Sequence, residues 1–409
     1  MRFTNKLCAQ HLGWTFKKHW QVQGQRVPRD TGAINELAQL GIQVNDANVV
    51  LKPKIKQERL EIVGYKSEVI CEDETHPNWC EKPAHIYGNS NVLLEGLPQA
   101  QILTNTIEIK GLPQNIEESV AKMELDSTVD RSIRKLIMAS HVYDAQQVKL
   151  PKIKLPERPA YNLPRDYGIT RERQNRLLIN KLCSECEKLV GLTVTSRRRM
   201  MDNADFKVTL QREDDILQFD VSAEKMITTT RPIEPIKANY YGKLPDLHPI
   251  KCTITIPKIN LYTSNNIYPF KDSSLFSNPH TIFLHFNKEI VGNLHETSVT
   301  TTQFQSRTLL KAFAVAASRA KQLYGESTFE KLPKPIVVQS IQTDGKTFHF
   351  GVLQLNTLSL HSIEGPKNYW FHQPNLDLFS ECGYKSGRPT LVGYNKDVFR
   401  LINAFYNNF

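Results

Sequence analysis

The sequence predicts an α+β fold, a mixed and mainly antiparallel sheet with packed helices, together with an extended N-terminal arm and a proline-rich connector. Three observations predict it. Apolar residues alternate over short strands, helical stripes carry recognisable start and stop residues, and strands form long antiparallel hairpins. Strands and helices mixed in this way favour α+β over a doubly wound sheet.

The composition is that of a folded protein. Of the 409 residues, 40% are hydrophobic and 23% are charged, and no run approaches the roughly 18 apolar residues of a membrane-spanning helix. Seven cysteines, an odd number at irregular spacing, predict reduced thiols rather than a disulfide framework. We therefore expect an intracellular chain without a membrane span.

The positive charge is concentrated in two segments. Net charge is +10, yet residues 1–29 hold six Lys or Arg and no acidic residue, and residues 149–212 hold fifteen Lys or Arg against seven acidic residues. A localised basic surplus is expected of a protein with a phosphate-rich partner. The alternative is an import signal plus an ordinary solvated basic face, and charge alone leaves both open.

Residues 1–30 form a basic arm for which we predict mitochondrial targeting. Scattered cations without carboxylates are typical of a transit peptide. The first 29 residues contain no serine, and Trp14, Phe16 and Trp20 are bulky for a disposable leader. An ordered basic arm that stays on the mature protein is therefore the alternative.

An N-terminal region, residues 31–150, contains three predicted elements: a helix over 34–40, a strand or short helix within 101–110, and a helical pattern over 117–143. A connector over 151–168 follows, because four prolines with interleaved Lys and Arg stiffen an extended chain. We predict a domain boundary at this connector.

Residues 169–409 form the predicted C-terminal α+β domain. Its first helix begins after the capping residue Thr170 and ends at Gly191. Asp344 and Gly345 predict a hairpin turn, since Asp-Gly supplies positive φ. The other predicted elements, in chain order, are two strands within 206–221 about a charged turn at 213–215, strands over 253–262 and 281–286, an Ala-rich helix over 303–324, hairpin strands over 336–342 and 346–357, and a last helix from Asn395.

Two groups of cations are candidate RNA contacts. Guanidinium groups in a cluster suit phosphate oxygens, and extended basic segments can follow a backbone. The alternative is a solvated turn and a solvated connector. The candidate residues are Arg197, Arg198 and Arg199 in one run, and Lys149, Lys152, Lys154 and Arg158 around the prolines.

Four potential metal ligands, Cys71, His76, Cys80 and His85, lie within fifteen residues. A tetrahedral Cys2His2 zinc site could be drawn through them. Their spacing matches no specific zinc pattern, however, and the favoured interpretation is that they bind no metal.

No motif for catalysis is found. Cys183 and Cys186 form a lone CxxC inside a helix, where packing explains them better than redox chemistry or zinc. Residues 344–347 resemble the tail of a phosphate-binding loop, but that loop needs a glycine at Ser340 and must open a helix. The sequence therefore predicts no enzyme, no cofactor and no small-molecule substrate.

Several longer runs resemble one protein family. Residues 334–357, KPIVVQSIQTDGKTFHFGVLQLNT, are similar to the signature of the mitochondrial large-subunit ribosomal protein thirty-seven family. The likeness covers about residues 90 to 400, more weakly between 115 and 270, and residues before 90 match poorly. Shorter matching runs lie at 93–96, 99–100, 111–113, 279–281, 323–325 and 364–368.

This resemblance implies a non-catalytic structural constituent of the mitochondrial ribosome in the matrix, where it supports mitochondrial translation. The implied partners are mitochondrial ribosomal RNA and other large-subunit ribosomal proteins. A further candidate partner is its paralogue, a member of the small-subunit thirty family linked to programmed cell death. Two alternatives stay open at this point: a mitochondrial RNA-acting enzyme and a protein-only scaffold.

Overall fold

The structure is a computed structural model that describes residues 31–45, 73–74, 76–150, 167–236, 240, 242–250, 256–325, 330–360, 365–385 and 387–408. The predicted basic arm and residues 151–166 of the connector lie outside the described residues. The chain divides into two compact units, Met1–Val69 and Ile70–Phe409. The described part of the first unit contains helix α1 (Ala33–Gln39), which has no buried residue and matches the predicted helix within one residue.

The described part of the second unit contains fourteen strands. Ten of them form one large sheet, while β3 with β4 and β13 with β14 form two small ribbons. The strands are β1 (Trp79–Gly88), β2 (Thr106–Lys110), β3 (Val148–Lys149), β4 (Tyr167–Gly168), β5 (Arg198–Arg212), β6 (Asp215–Thr229), β7 (Lys258–Leu261), β8 (Asn278–His285), β9 (Ile336–Thr343), β10 (Thr347–Leu355), β11 (Asn368–His372), β12 (Leu376–Asp377), β13 (Glu381–Lys385) and β14 (Arg388–Val392).

The large sheet is mixed. Its order is β2-β11-β10-β9-β8-β6-β1-β7, with β12 beside β10 and β5 beside β6. Six of its pairings are antiparallel and three are parallel. The predicted α+β class with a mainly antiparallel sheet is therefore confirmed.

The long strand β6 organises one half of the sheet. β5 pairs with it from Arg212 beside Asp215 to Arg198 beside Thr229. The other side of β6 is shared by β1 and β8. The hairpin is much longer than the strands predicted within 206–221. Those strands were predicted from alternating apolar residues, and the paired backbone continues beyond that alternation.

Helices cover both faces of the sheet. They are α2 (Leu97–Leu103), α3 (Gln114–Lys122), α4 (Ser127–His141), α5 (Arg171–Val190), α6 (Leu192–Thr195), α7 (Thr301–Tyr324) and α8 (Asp397–Asn407). In β9, Val338 belongs to the apolar cluster that includes α7 and α2, whereas Val337 belongs to the cluster of α3, α4, α5 and α8. Neighbouring strand residues point to opposite faces, so one strand serves both layers.

Helix α7 lies at the centre of one layer, and residues 303–320 are all buried. Thr300 and Gln303 form a reciprocal cap at its amino end, as favoured by such a pair. The buried Arg307 donates to the carbonyl oxygens of Asn89 and Asn91, each at 2.7 Å. Among the described residues, no helix has the length and apolar character needed to cross a bilayer.

Two sequence predictions require correction. The predicted helix over 117–143 is two helices, α3 and α4, because Met123 is extended and Asp126 begins a new helix. The domain boundary predicted at the connector, 151–168, falls inside the unit Ile70–Phe409. Strands β1 and β2 precede it in the chain, yet they pair with β6 and β11, which follow it.

Candidate nucleic-acid interface

The run of three arginines lies at one end of the β5–β6 hairpin. Arg198 begins β5 opposite Thr229, and the carbonyl of Arg197 accepts a hydrogen bond from the backbone N–H of Thr230. Successive strand residues point to opposite faces, and accordingly Arg197 and Arg199 are exposed while Arg198 is buried. The run therefore presents two cations to solvent and one to the interior.

Arg198 holds the C-terminal end of the chain. Its guanidinium donates to the carbonyl oxygens of Tyr406 at 3.2 Å and Asn408 at 2.5 Å. Nε2 of His280 lies 2.8 Å from the same Asn408 oxygen, and the Asn408 amide donates to Gln339. Burial lowers the pKa of Arg198 to about 10, so it stays protonated near neutral pH. We withdraw Arg198 from the predicted RNA contacts, because its side chain is buried and one of its nitrogens already donates twice inside the protein.

A third exposed arginine, Arg231, joins Arg197 and Arg199 at this end of the hairpin. The backbone N–H of Thr230 donates to the Arg197 carbonyl oxygen, which brings the neighbouring Arg231 close to Arg197 in the fold. Arg231 was not predicted, because the predicted strands ended too early. Extending both strands of the hairpin by equal lengths from the turn at 213–215 would have placed Arg231 beside Arg197.

No acidic residue occurs in the segments that meet at this end of the hairpin. Residues 192–201 and 227–233 flank the first pairs of β5 with β6, and residues 274–281 include the start of β8, which pairs with the end of β6. None of these residues is Asp or Glu, although Asp202, Glu234 and Asp272 lie within two residues of the ends of these segments. We name Arg197, Arg199 and Arg231 the arginine edge.

The other predicted RNA contacts are separate from the arginine edge in the chain. Lys149 is exposed on the β3–β4 ribbon. Lys152, Lys154 and Arg158 lie outside the described residues. All four stay predictions.

Two of the four potential metal ligands, Cys80 and His85, do not come together in the structure. They are five residues apart on β1, an extended span of about 16 Å. His85 is buried, with Nε2 at 3.6 Å from Asp215, and Cys71 lies outside the described residues. Across the described ranges no group of three or more His, Cys, Asp or Glu has an arrangement that could hold a metal ion.

A buried chain of hydrogen bonds, unforeseen from the sequence, joins Thr308 of α7 to Glu108 of β2. Thr308 Oγ1 lies 2.9 Å from His349 Nδ1, and His349 Nε2 lies 3.2 Å from His372 Nδ1. His372 Nε2 lies 3.0 Å from Glu108 Oε1. A consistent proton placement has both histidines neutral, with each N–H donating towards the Glu108 carboxylate.

This chain has the residue types of a hydrolase triad but is closed to substrate. Thr308 and His349 have no exposed surface, and burial holds the pKa of His349 well below its usual value. The hydrogen bond from His372 lowers the pKa of Glu108. We interpret the chain as structural, because it satisfies polar groups that would be costly to bury alone.

Three of the four thiols in the described structure, Cys183, Cys186 and Cys382, lack the surroundings of a nucleophile. Cys382 lines a cavity of about 790 Å³ between the amino end of α5, the β9–β10 turn and β13, and burial raises its pKa to about 11. Cys183 and Cys186 are buried in the core, where the pKa of Cys183 is raised to about 12. Reactive cysteines need a lowered pKa and access, so these thiols fit packing.

Comparison with known proteins identifies relatives along most of the chain. The large ribosomal subunit protein mL37 of Rattus norvegicus is 31% identical over 301 residues, which are 71% of this chain and 65% of the rat protein. The protein of the same name from Mus musculus is 31% identical over 297 residues, 70% of this chain and 64% of its own length. The mL37 of Gallus gallus is 29% identical over 332 residues, 77% of this chain and 71% of its own length.

The chain is a homologue of these mL37 proteins. The family resemblance drawn from its sequence runs is thereby confirmed. The alignments span less than two thirds of the rat and mouse mL37 proteins.

A family model described as "Mitochondrial 28S ribosomal protein S30 (PDCD9)" matches residues 287–409. Its name refers to the small subunit, whereas the mL37 relatives are named for the large subunit. We give the mL37 name more weight, because those alignments extend over about 300 residues and the family model covers only the C-terminal part. The double match agrees with the predicted paralogy between the two families.

Proposed function

We propose that the chain is a structural constituent of the large subunit of the mitochondrial ribosome and supports mitochondrial translation. Similarity to proteins named mL37 over 70% to 77% of the chain carries this proposal. Mitochondrial ribosomal RNA and neighbouring large-subunit proteins are then its partners, and its paralogue is a further candidate. The basic arm at residues 1–30 would bring it to the mitochondrion.

The described residues support a non-enzymatic role. The hydroxyl–histidine–carboxylate chain from Thr308 to Glu108 has no access to substrate. The cavity thiol, Cys382, has a raised pKa. A large α+β unit with exposed arginines at one end of its sheet suits a protein that binds its neighbours through its surface.

The test is sedimentation of the tagged, full-length chain expressed in cells of its source organism. Mitochondria are lysed in mild detergent at low salt, and the lysate is separated on a sucrose gradient. We expect the chain to sediment with large-subunit ribosomal RNA, at a stoichiometry near one per particle, and to shift towards the top after ribonuclease treatment.

Other distributions would contradict the proposal. A chain at the top of the gradient excludes a stable ribosomal constituent. A large complex that ribonuclease leaves unchanged indicates the protein-only scaffold, and a substoichiometric association with free RNA indicates the RNA-acting enzyme. A matrix protein of similar mass serves as the control for non-specific trapping.

A further inference from the structure

We propose that helix α1 and the turn after it, residues 33–44, form a docking segment that inserts into an apolar groove on a neighbouring protein of the large subunit. We name residues 33–44 the α1 segment. This inference rests on the proposed function. It goes beyond that function by naming the segment that makes a protein contact and the chemistry of the surface that receives it.

The α1 segment exposes large apolar side chains at high density. Its exposed members are Ile34 at 62%, Leu40 at 73%, Ile42 at 54% and Val44 at 46%. Elsewhere in the described part of the chain, no stretch of eleven residues exposes more than two such side chains. Single exposed apolar residues are ordinary on a protein surface, whereas a contiguous group marks an interaction site.

The backbone at the end of α1 gathers apolar side chains on one side. The backbone N–H of Gly41 donates to the Ala38 carbonyl at 3.1 Å, and that of Ile42 donates to the Leu37 carbonyl at 2.9 Å. These two bonds form a Schellman motif, which brings the side chain of Ile42 back to Leu37. Ile34 lies one helical turn before Leu37 on the same face. We name Ile34, Leu37 and Ile42 the apolar stripe.

Helix α1 has little support from its own chain. It is seven residues long, and none of these residues is buried. An isolated helix shorter than about 12 residues is only marginally stable in water. The α1 segment is therefore stabilised most by a partner that covers the apolar stripe. Insertion of an amphipathic helix into an apolar groove is a general mode of protein recognition.

The charge of the α1 segment favours a protein partner over RNA. Glu36 is the only charged residue in the described range 31–45, and the nearest basic residues in the sequence are Arg29 and Lys52. RNA binding depends on cations that face phosphates, and the α1 segment has none. Glu36 lies on the side of the helix opposite the apolar stripe. A groove with apolar walls and a cation at its rim complements this arrangement.

The test is photo-cross-linking within the assembled particle. One tagged full-length chain carries p-benzoylphenylalanine in place of Leu37, and its matched control carries the same residue in place of Gln39, on the polar side of α1. A third chain combines the Leu37 replacement with Ile34→Asp. Each chain is expressed in mitochondria of the source organism, and large subunits are purified on sucrose gradients and irradiated. Adducts are then digested with ribonuclease and identified by mass spectrometry.

We expect position 37 to give one main adduct, which survives ribonuclease and joins this chain to an apolar stretch of a large-subunit protein. Position 39 should give at most about a tenth of that yield, because it faces away from the groove. Ile34→Asp should lower the yield at position 37 about tenfold, because a carboxylate would enter an apolar environment.

Several outcomes overturn the inference in particles that contain the chain. They are equal yields from positions 37 and 39, no adduct at position 37, a yield that Ile34→Asp leaves unchanged, and an adduct removed by ribonuclease. A cross-link within this chain also overturns it, because the stripe is then covered by the chain itself. The proposed function fails separately, when the chain stays at the top of the gradient before irradiation, and the inference fails with it.

Discussion

Replacing Arg198 by alanine should destabilise the fold, whereas the same change at Arg199 should not. Arg198 is the buried member of the run and donates to Tyr406 and Asn408. Hydrogen bonds from a charged donor contribute about 1.5 to 3 kcal/mol each, and the loss of this one removes a donor from the carbonyl oxygen of buried Tyr406. The substitution also removes the cost of burying the guanidinium charge, so we expect the free energy of unfolding to fall by only about 3 kcal/mol.

The expected change is measurable by thermal unfolding. Unfolding entropy of about 2.1 cal/mol/K per residue gives roughly 0.7 kcal/mol/K for the unit Ile70–Phe409. A loss of about 3 kcal/mol then lowers Tm by about 4 °C. Exposed Arg199 is the matched control, and its alanine variant should stay within about 0.5 kcal/mol of the parent.

Hydrogen exchange locates the effect within the fold. Because Arg198 binds the end of α8, amides of that helix should exchange faster in Arg198→Ala than in Arg199→Ala. Equal melting temperatures for the two variants, or unchanged protection of α8, would refute the separation of the arginine run into buried and exposed members.

Three further predictions concern buried polar groups and a turn. Burial lowers the pKa of His280 to about 3 in the folded chain, below its unfolded value of about 6.5. The contribution of this group to the free energy of unfolding is therefore complete above pH 6.5, and it falls by up to about 1.4 kcal/mol per pH unit below that pH. Denaturant titrations should show a flatter pH dependence for His280→Gln than for the parent chain, and an unchanged slope would contradict this. Gly345 has φ +97° and faces Asn175 Oδ1, so Gly345→Ala should cost about 2 to 3 kcal/mol in urea unfolding, and a neutral result would exclude the turn geometry. Thr308→Val should cost about 1 to 2 kcal/mol by leaving His349 Nδ1 unpaired, and a more stable variant would show that this hydrogen bond is absent in solution.

Local elements of the fold could be predicted where the chain carries its own signals. The hairpin between β9 and β10 turns at Gly345 with φ +97°, as the Asp-Gly dipeptide indicates, and the Asp344 carboxylate accepts from two backbone N–H groups. Helix α5 has the predicted cap, since Thr170 Oγ1 accepts from Arg173. Strands β1 and β11 were not predicted. The partners of β1 are both distant in the chain, and one of the two partners of β11 is distant as well.

The candidate site could be predicted only in part. The sequence located a cluster of arginines, yet it could not show that Arg198 is buried or that Arg231 lies beside Arg197. Both facts depend on the register of a fifteen-residue hairpin and on where α8 ends. The weak four-ligand metal hypothesis assumed a compact loop, whereas Cys80 and His85 lie along one extended strand.

The sequence by itself determined the fold class, the central helix α7, the β9–β10 turn and the family resemblance, because each depends on residues that are close together in the chain. Only the tertiary structure decided which cations face solvent and which hold the chain together. The hydrogen bonds from Arg198 to Asn408 and from His372 to Glu108 join residues more than 200 positions apart. The burial of those groups therefore arises from packing between layers, which local periodicity cannot encode.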